Sequence, residues 1–529
     1  MSRLETLMTR VPDLQTPASR RAFLRHATAL SALAGAGAPL AINLLAAGSA
    51  AAQSATDYRA LVCIFLYGGN DAYNTVLATD TASWDPYTAV RNQAPDSIAL
   101  LPVGTQPNAG AAAGSPARLG GVLPLTPTNA QGRAFALHPM LGSLQAMFNT
   151  DRRLAIVPGI GPLLMPTTKV QYGQASFPRP ASLFSHNDQQ NTWQALAPEG
   201  AIRGWGGRMG DALAAMNSRT VFTAVSATGT AVWLAGQTVQ QYQVSTGGAI
   251  RMGADSNGRI FGSTEVAAAL QRIVSGSRGT HLMQADLAAV SARSIDAEAT
   301  LRTALRPASD AAFGTLPATG NYNANNDPKL QYDNPLTGNR AANSLAQQLQ
   351  VVARLIDAGI SGASGARRQV FMVSLNGFDS HDLQNRNHTD LMAKLAHGMR
   401  YFDTALGALG ARNNVTAFTA SDFGRTFTSN GDGTDHGWGG HHMVMGGAVR
   451  GGDLYGRFPT FGPKNANNNA FDSSADMLSN GAMLPATSVD QLGATLGRWF
   501  GLSDGQVSDI FPNLANFDAG VRNLGFMMA

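Results

Sequence analysis

Short apolar runs, each stopping abruptly at a polar loop, punctuate this chain. Leu61–Leu66 (LVCIFL) stops at Tyr67-Gly68-Gly69-Asn70-Asp71, Leu154–Val157 (LAIV) at Pro158-Gly159, Phe371–Leu375 (FMVSL) at GFDSH, and Val415–Ala420 (VTAFTA) at SDFGR. Runs of this length, with no polar residue at alternate positions, predict strands buried on both faces. Val221–Val225 (VFTAV) and the run from Met443 to Gly447 read the same way. Between them, apolar residues recur at intervals of three and four over His138–Phe148, Trp205–Met216, Glu265–Val274, Leu282–Leu305, Asn343–Ile360, Leu391–Leu409 and Val489–Phe500, a spacing that predicts helices. Another helix is expected from Ser185-His186-Asn187-Asp188 through Trp193, with Ser185 at its N-cap. Alternation of strand and helix predicts an α/β fold, a doubly wound and mostly parallel sheet with helices on both faces. The fold is expected as one domain over residues 53–529, with insertions around 78–133 and 226–345. The first insertion is rich in Pro, Gly, Ala and Asn and is expected to run over the surface.

The first 52 residues stand outside this pattern. Ser19-Arg20-Arg21-Ala22-Phe23-Leu24-Arg25 has the form of a twin-arginine export signal, followed by an Ala/Leu/Gly run and an Ala-x-Ala cleavage site at Ala50–Ala52. The mature chain is therefore expected in the periplasm or outside the cell. Gly and Pro39 break the signal's apolar run, and no later run is long enough to span a membrane.

Charge excludes one class of partner. The chain holds 38 basic and 34 acidic residues, of which five and two fall in the signal, so 33 against 32 remain and the mature chain is close to neutral. That balance gives no footing for nucleic acid. The single Cys63 lies inside an apolar run and reads as a small buried hydrophobe.

Candidate chemistry gathers where the strands end. In open α/β sheets, functional groups collect in the crevice beyond the carboxyl ends of the strands. Asp71, Asp379 and Asp422 each follow such an end, so three carboxylates distant in sequence are expected to converge. Six of the ten histidines lie between His381 and His442, interleaved with aspartates. Asp379 and His381, two apart in GFDSH, project to one side of an extended segment and form a donor pair suited to zinc, manganese or iron. His441 and His442 point to opposite sides, so at most one readily enters a given site; His442, directly before the apolar run, is preferred. Asp435 and His436 form a further pair, ligating or supporting, and the glycines around them allow close backbone approach. Arg425 is a candidate for gripping an anionic ester, and Ser185 is either a nucleophile or a helix cap.

With these residues in place, the chain resembles the domain-of-unknown-function 1501 family of twin-arginine-exported bacterial proteins. The blocks that carry the resemblance are FLYGGNDAYNT, LHPML, LFSHNDQQ, GWGGRM, LNGFDSH, SDFGRT, GTDHGWGGHHMVMGGAVRGGDLYG and LPATSVDQLGATLGRWFGL. That family looks like a branch of the alkaline phosphatase and sulfatase superfamily. The resemblance implies an alkaline phosphatase-like fold, with ligands in the order Asp71, nucleophile Ser185, Asp379 with His381, Asp422, and His442. Asp422-Phe423 stands where phosphatases commonly have Asp-His. This leaves a second ion one ligand short unless His436 supplies it, or the site holds a single ion. The sulfatase Cys-x-Pro-x-Arg pattern is missing around Ser185, so formylglycine chemistry is not expected.

The expected function is an exported metal-dependent hydrolase of phosphate or sulfate esters, on a small-molecule or polymeric anionic substrate, with one or two divalent ions. The alternative is a noncatalytic exported binding or assembly protein with a vestigial or structural metal site and a cell-envelope protein partner.

Overall fold

The computed structural model describes residues 57–528, apart from 251–253, 256–257 and 277–280. The expected signal at residues 1–52 lies outside the described residues. At the centre is a nine-stranded sheet. Its strands are β1 (Arg59–Tyr67), β2 (Leu154–Gly161), β3 (Ala224–Ser226), β4 (Tyr242–Ser245), β5 (Gly248–Ala249), β6 (Arg368–Asn376), β7 (Val415–Ser421), β10 (Gly440–Gly446) and β11 (Thr487–Ser488). Two strands numbered between these, β8 (Arg425–Ser429) and β9 (Thr434–His436), form a separate antiparallel ribbon. The order across the sheet is β11-β2-β10-β7-β1-β6-β3-β4-β5. β7, β1, β6, β3 and β4 run parallel, whereas β10 is antiparallel to both of its neighbours.

β1 shows why the sheet must be covered on both sides. Its even-numbered residues, Val62, Ile64 and Leu66, enter one apolar core, and its odd-numbered residues, Leu61, Cys63 and Phe65, enter another. Strand geometry sends successive side chains to opposite faces, and an all-apolar strand therefore needs a helix layer on each. On the first face pack α2 (Gly142–Asn149), α7 (Ser344–Ile360) and α8 (Gln384–Ala408). On the second pack α3 (His186–Ala195), α4 (Trp205–Leu213) and α9 (Val489–Phe500). The sequence places the ends of α9 clearly: Ser488 and Gln491 form a reciprocal capping box at its start, and Gly501 takes the left-handed conformation past its end. α5 (Thr264–Ser275) and α6 (Leu282–Ala304) form a pair within the second insertion. Among the described residues, no helix is long and apolar enough to cross a membrane.

The stretch 78–133 departs from its expected course over the surface. It contains α1 (Thr81–Arg91), and its strand Leu123–Leu125 joins Val76–Ala78 and Phe135–Leu137 in a small antiparallel sheet. Tyr87, Val90, Leu100 and Val122 from this stretch share an apolar cluster with Phe427, Phe471 and Met477. Three-residue strands are too short for periodicity to register. The last turn of α1 carries Arg91, which is wholly buried.

Candidate metal centre

Four segments meet at the carboxyl ends of the parallel strands. The turn after β1 carries Gly68, Gly69 and Asp71; the loop after β6 carries Asp379 and His381; the turn after β7 carries Asp422 and Phe423; and α3 starts at His186. β9 closes the group with His436. Because β10 runs antiparallel, the chain reaches this edge before that strand, so the donor lies upstream of it.

The donor atoms are aimed with some care. Among the described residues, His186, Asp379 and His436 each offer an atom within 4.8 Å of the other two. Oδ1 of Asp379 lies 3.5 Å from Nε2 of His186, 3.5 Å from Nε2 of His436 and 3.2 Å from Nε2 of His381. Nε2 of His381 and Nε2 of His436 are 3.0 Å apart. The opposite nitrogen of each ring faces an oxygen: Nδ1 of His186 lies 2.6 Å from Oδ2 of Asp422, Nδ1 of His436 lies 2.7 Å from the Phe184 carbonyl, and Nδ1 of His381 lies 3.4 Å from Oδ1 of Asp435. For His186 and His436, a hydrogen-bonded oxygen at Nδ1 places the proton there and leaves Nε2 to face the crevice, the arrangement found around metal-ligating histidines. Nε2 of His186 is buried with no hydrogen-bond partner, and so is Oδ1 of Asp422. An orphaned buried imidazole nitrogen facing a carboxylate and a second imidazole fits a divalent cation of the zinc class.

Electrostatics follow from these neighbours. The hydrogen bond to Asp422 raises the His186 pKa, against the opposing effect of burial. Burial lowers that of His436, which the Phe184 carbonyl only partly offsets. Burial would raise that of Asp379, but the hydrogen bond and charge of Arg425 prevail and hold it below the usual carboxylate range.

Arg425 sits otherwise than expected. It is fully buried, with Nε donating to the Gly69 carbonyl at 2.9 Å, Nη1 to the Thr434 carbonyl at 3.2 Å, and Nη2 to the Phe378 carbonyl at 3.1 Å as well as closely to the Gly68 carbonyl and Oδ1 of Asp379. Nη1 also lies 3.4 Å from Nε2 of His381. A guanidinium has five N–H groups, and these acceptors use them all, leaving none for an ester. Arg425 therefore ties the loops after β1 and β6 to β9 and positions Asp379.

Asp71 and His442 are not brought into this group. Asp71 is buried and makes a two-pronged ion pair with Arg91, at 2.6 and 3.0 Å, and it also accepts from Gln384 and from the Tyr73 amide. All of its acceptor directions point into the protein. His442 is buried against Thr419, 3.1 Å from Nδ1, and meets the edge of Trp193. Burial pushes its pKa down to about 3. His441 is likewise buried, its Nδ1 accepting from the Gly159 amide. Ser185 occupies the N-cap position of α3, but its side chain makes no capping bond.

Sequence reasoning singled out SHND for its serine and passed over the histidine beside it. A histidine at the first position of a helix that follows a polar loop was the available signal.

No curated protein matches the chain in a sequence comparison. The family described as "Protein of unknown function (DUF1501)" matches over residues 58–511, a span that takes in every strand end and loop of this crevice, and the chain belongs to that family.

Proposed function

We propose that this DUF1501 protein is an exported, metal-dependent hydrolase of phosphate or sulfate esters built on an alkaline phosphatase-like fold. The observation that carries the reading is the convergence of three imidazole Nε2 atoms on one carboxylate oxygen, with the His186 and His436 rings held from behind by an oxygen at Nδ1. His186, His436 and Asp379 would hold the ion, with His381 beside them. A divalent cation bound there supplies Lewis-acid polarisation of the ester and stabilises negative charge developing on its oxygens.

The chain's own residues do the rest. Asp422 fixes the His186 ring, while Gln190 donates to the same Asp422 oxygen at 2.8 Å. Phe423 lies against the rings of His186 and His436, at 4.7 and 4.6 Å between centroids, and keeps water from that side of the crevice. Ser185, with its hydroxyl uncommitted to capping, is the candidate nucleophile for in-line attack on the ester. Asp379, His381 and Asp435 remain partly exposed, which leaves room for a substrate to approach.

One observation favours the second reading, a noncatalytic exported binding or assembly protein. Asp71, expected to serve a second ion, is satisfied internally by Arg91. A panel of phosphate, phosphonate and sulfate esters, run on chelator-treated and zinc-refilled protein, separates the two. Hydrolysis lost with chelation and regained with zinc is expected, together with loss of bound zinc in His186→Ala and Asp379→Ala by elemental analysis. Metal-replete protein that is inert across the panel yet binds a cell-envelope component would establish the second reading instead.

A further inference from the structure

Three carboxylates sit at the strand ends, and each already faces a cationic or proton-donating partner from within the chain. Asp71 has Arg91, Asp379 has Arg425, and Asp422 has His186. Arg425 is the partner closest to the candidate ion, since its Nη2 and the Nε2 atoms of the three histidines all approach the same Oδ1 of Asp379. A guanidinium carries a fixed, delocalised positive charge. The negative charge of Asp379 is therefore shared before any ion arrives, and what faces the crevice is mainly neutral imidazole nitrogen.

The wall beside Arg425 is equally selective. Phe423 packs its ring on both His186 and His436, with the Arg425 guanidinium carbon 5.8 Å from the ring centroid. Oδ1 of Asp422 is buried and unpartnered, but among the described residues no second cluster of three His, Cys, Asp or Glu donors forms around it. Gly69 lets Phe423 come this close: a Cβ there would lie 2.4 Å from the ring.

We infer that Arg425 serves as a built-in second cation, so that the crevice takes one ion of the imidazole-preferring zinc class and excludes a companion ion. Imidazole-rich donor sets suit zinc and its neighbours, whereas magnesium, calcium and manganese depend on oxygen donors that keep their charge. Arg425 is thus a positioning residue that sets both the number and the class of metal. This inference rests on the metal reading above.

Calorimetric titration of the chelator-treated full chain with zinc chloride, and separately with manganese chloride, tests it. One zinc per chain is expected, with manganese held about 100-fold more weakly or worse. In Arg425→Gln, Asp379 regains its full charge, and the zinc-over-manganese preference should narrow by about tenfold. Arg425→Lys retains a cation and should stay close to the parent in both number and preference. Two zinc ions per parent chain, or a folded Arg425→Gln with an unchanged preference, would overturn the inference and leave the metal reading standing. Failure of the parent chain to take up zinc would overturn both. Should Arg425→Gln not fold, the stoichiometry of the parent chain decides alone.

Discussion

Asp422 touches His186 with one oxygen and nothing with the other, and that asymmetry defines its work. As the group behind the His186 ring, it fixes which nitrogen carries the proton. Asp422→Asn should weaken zinc binding by about 10- to 100-fold, as loss of such a supporting carboxylate does elsewhere. Competition with a chromophoric chelator measures it, and an unchanged affinity would remove Asp422 from the site. A different aspartate tests burial alone. Asp490, near the start of α9, has its pKa pushed up to about 6 by burial, against hydrogen bonds with Asn513 that pull the other way. The folded state thus holds a proton more tightly than the unfolded chain, whose value is near 3.8. Stability fully present below that value is lost as pH rises through 6. Asp490→Asn should therefore be more stable than the parent above pH 6, by about 3 kcal/mol, with the difference vanishing below pH 4. Thermal denaturation across that range reads the effect. At this scale the sequence marked Asp379 and Asp422 as candidates because short polar residues just past apolar runs are conspicuous, and His436 because it stands beside Asp435 in a glycine- and histidine-rich cluster. It did not reveal the role of Arg425, since nothing in SDFGR indicates that the side chain turns back to bond carbonyls of two distant loops and of its neighbouring strand.

Elements were predicted best where the apolar repeat runs through the whole element. The limits of α9 match expectation, and those of α7 differ by one residue at the start. α8 begins at Gln384, well before the apolar repeat starts at Leu391, because its first two turns, QNRNHTD, are polar. Two of their buried members, Gln384 and His388, face the turn after β1, bonding Asp71 and Asn70. That contact between elements is tight. Gly68 has φ +113°, and a Cβ there would fall 2.3 Å from the Asp379 amide nitrogen. Gly68→Ala would combine backbone strain with a clash against the loop that holds Asp379. We expect a loss of about 1–3 kcal/mol from the strained backbone alone, visible as a lowered Tm, together with weakened zinc binding. A variant with normal zinc affinity would show that the loop after β6 holds Asp379 without support from the loop after β1.

For the molecule as a whole, the informative pair is Asp71 with Arg91. They join the first loop of the sheet to a segment that composition alone presented as a surface excursion, and the pair lies wholly inside. Asp71→Ala leaves the Arg91 guanidinium buried with its main anionic partner gone, a change that typically costs about 3–5 kcal/mol. Denaturant unfolding should show that loss while zinc stoichiometry stays at that of the parent. A loss of zinc with unchanged stability would instead return Asp71 to the ligands. The overall α/β layering could be read in advance because it follows from alternating apolar runs and helical repeats. The internal pairing of charges could not, since α1 and the turn it reaches lie in different layers of the pattern. That pairing also bears on the order of events in the protein's life. With its strand-end carboxylates answered from within, the chain can complete its fold before any ion arrives, and the proposed metal would be a late addition to a finished frame. Chelation should then empty the crevice without unravelling the sheet, and zinc should raise stability only by the modest increment that mass action grants a ligand of the folded state.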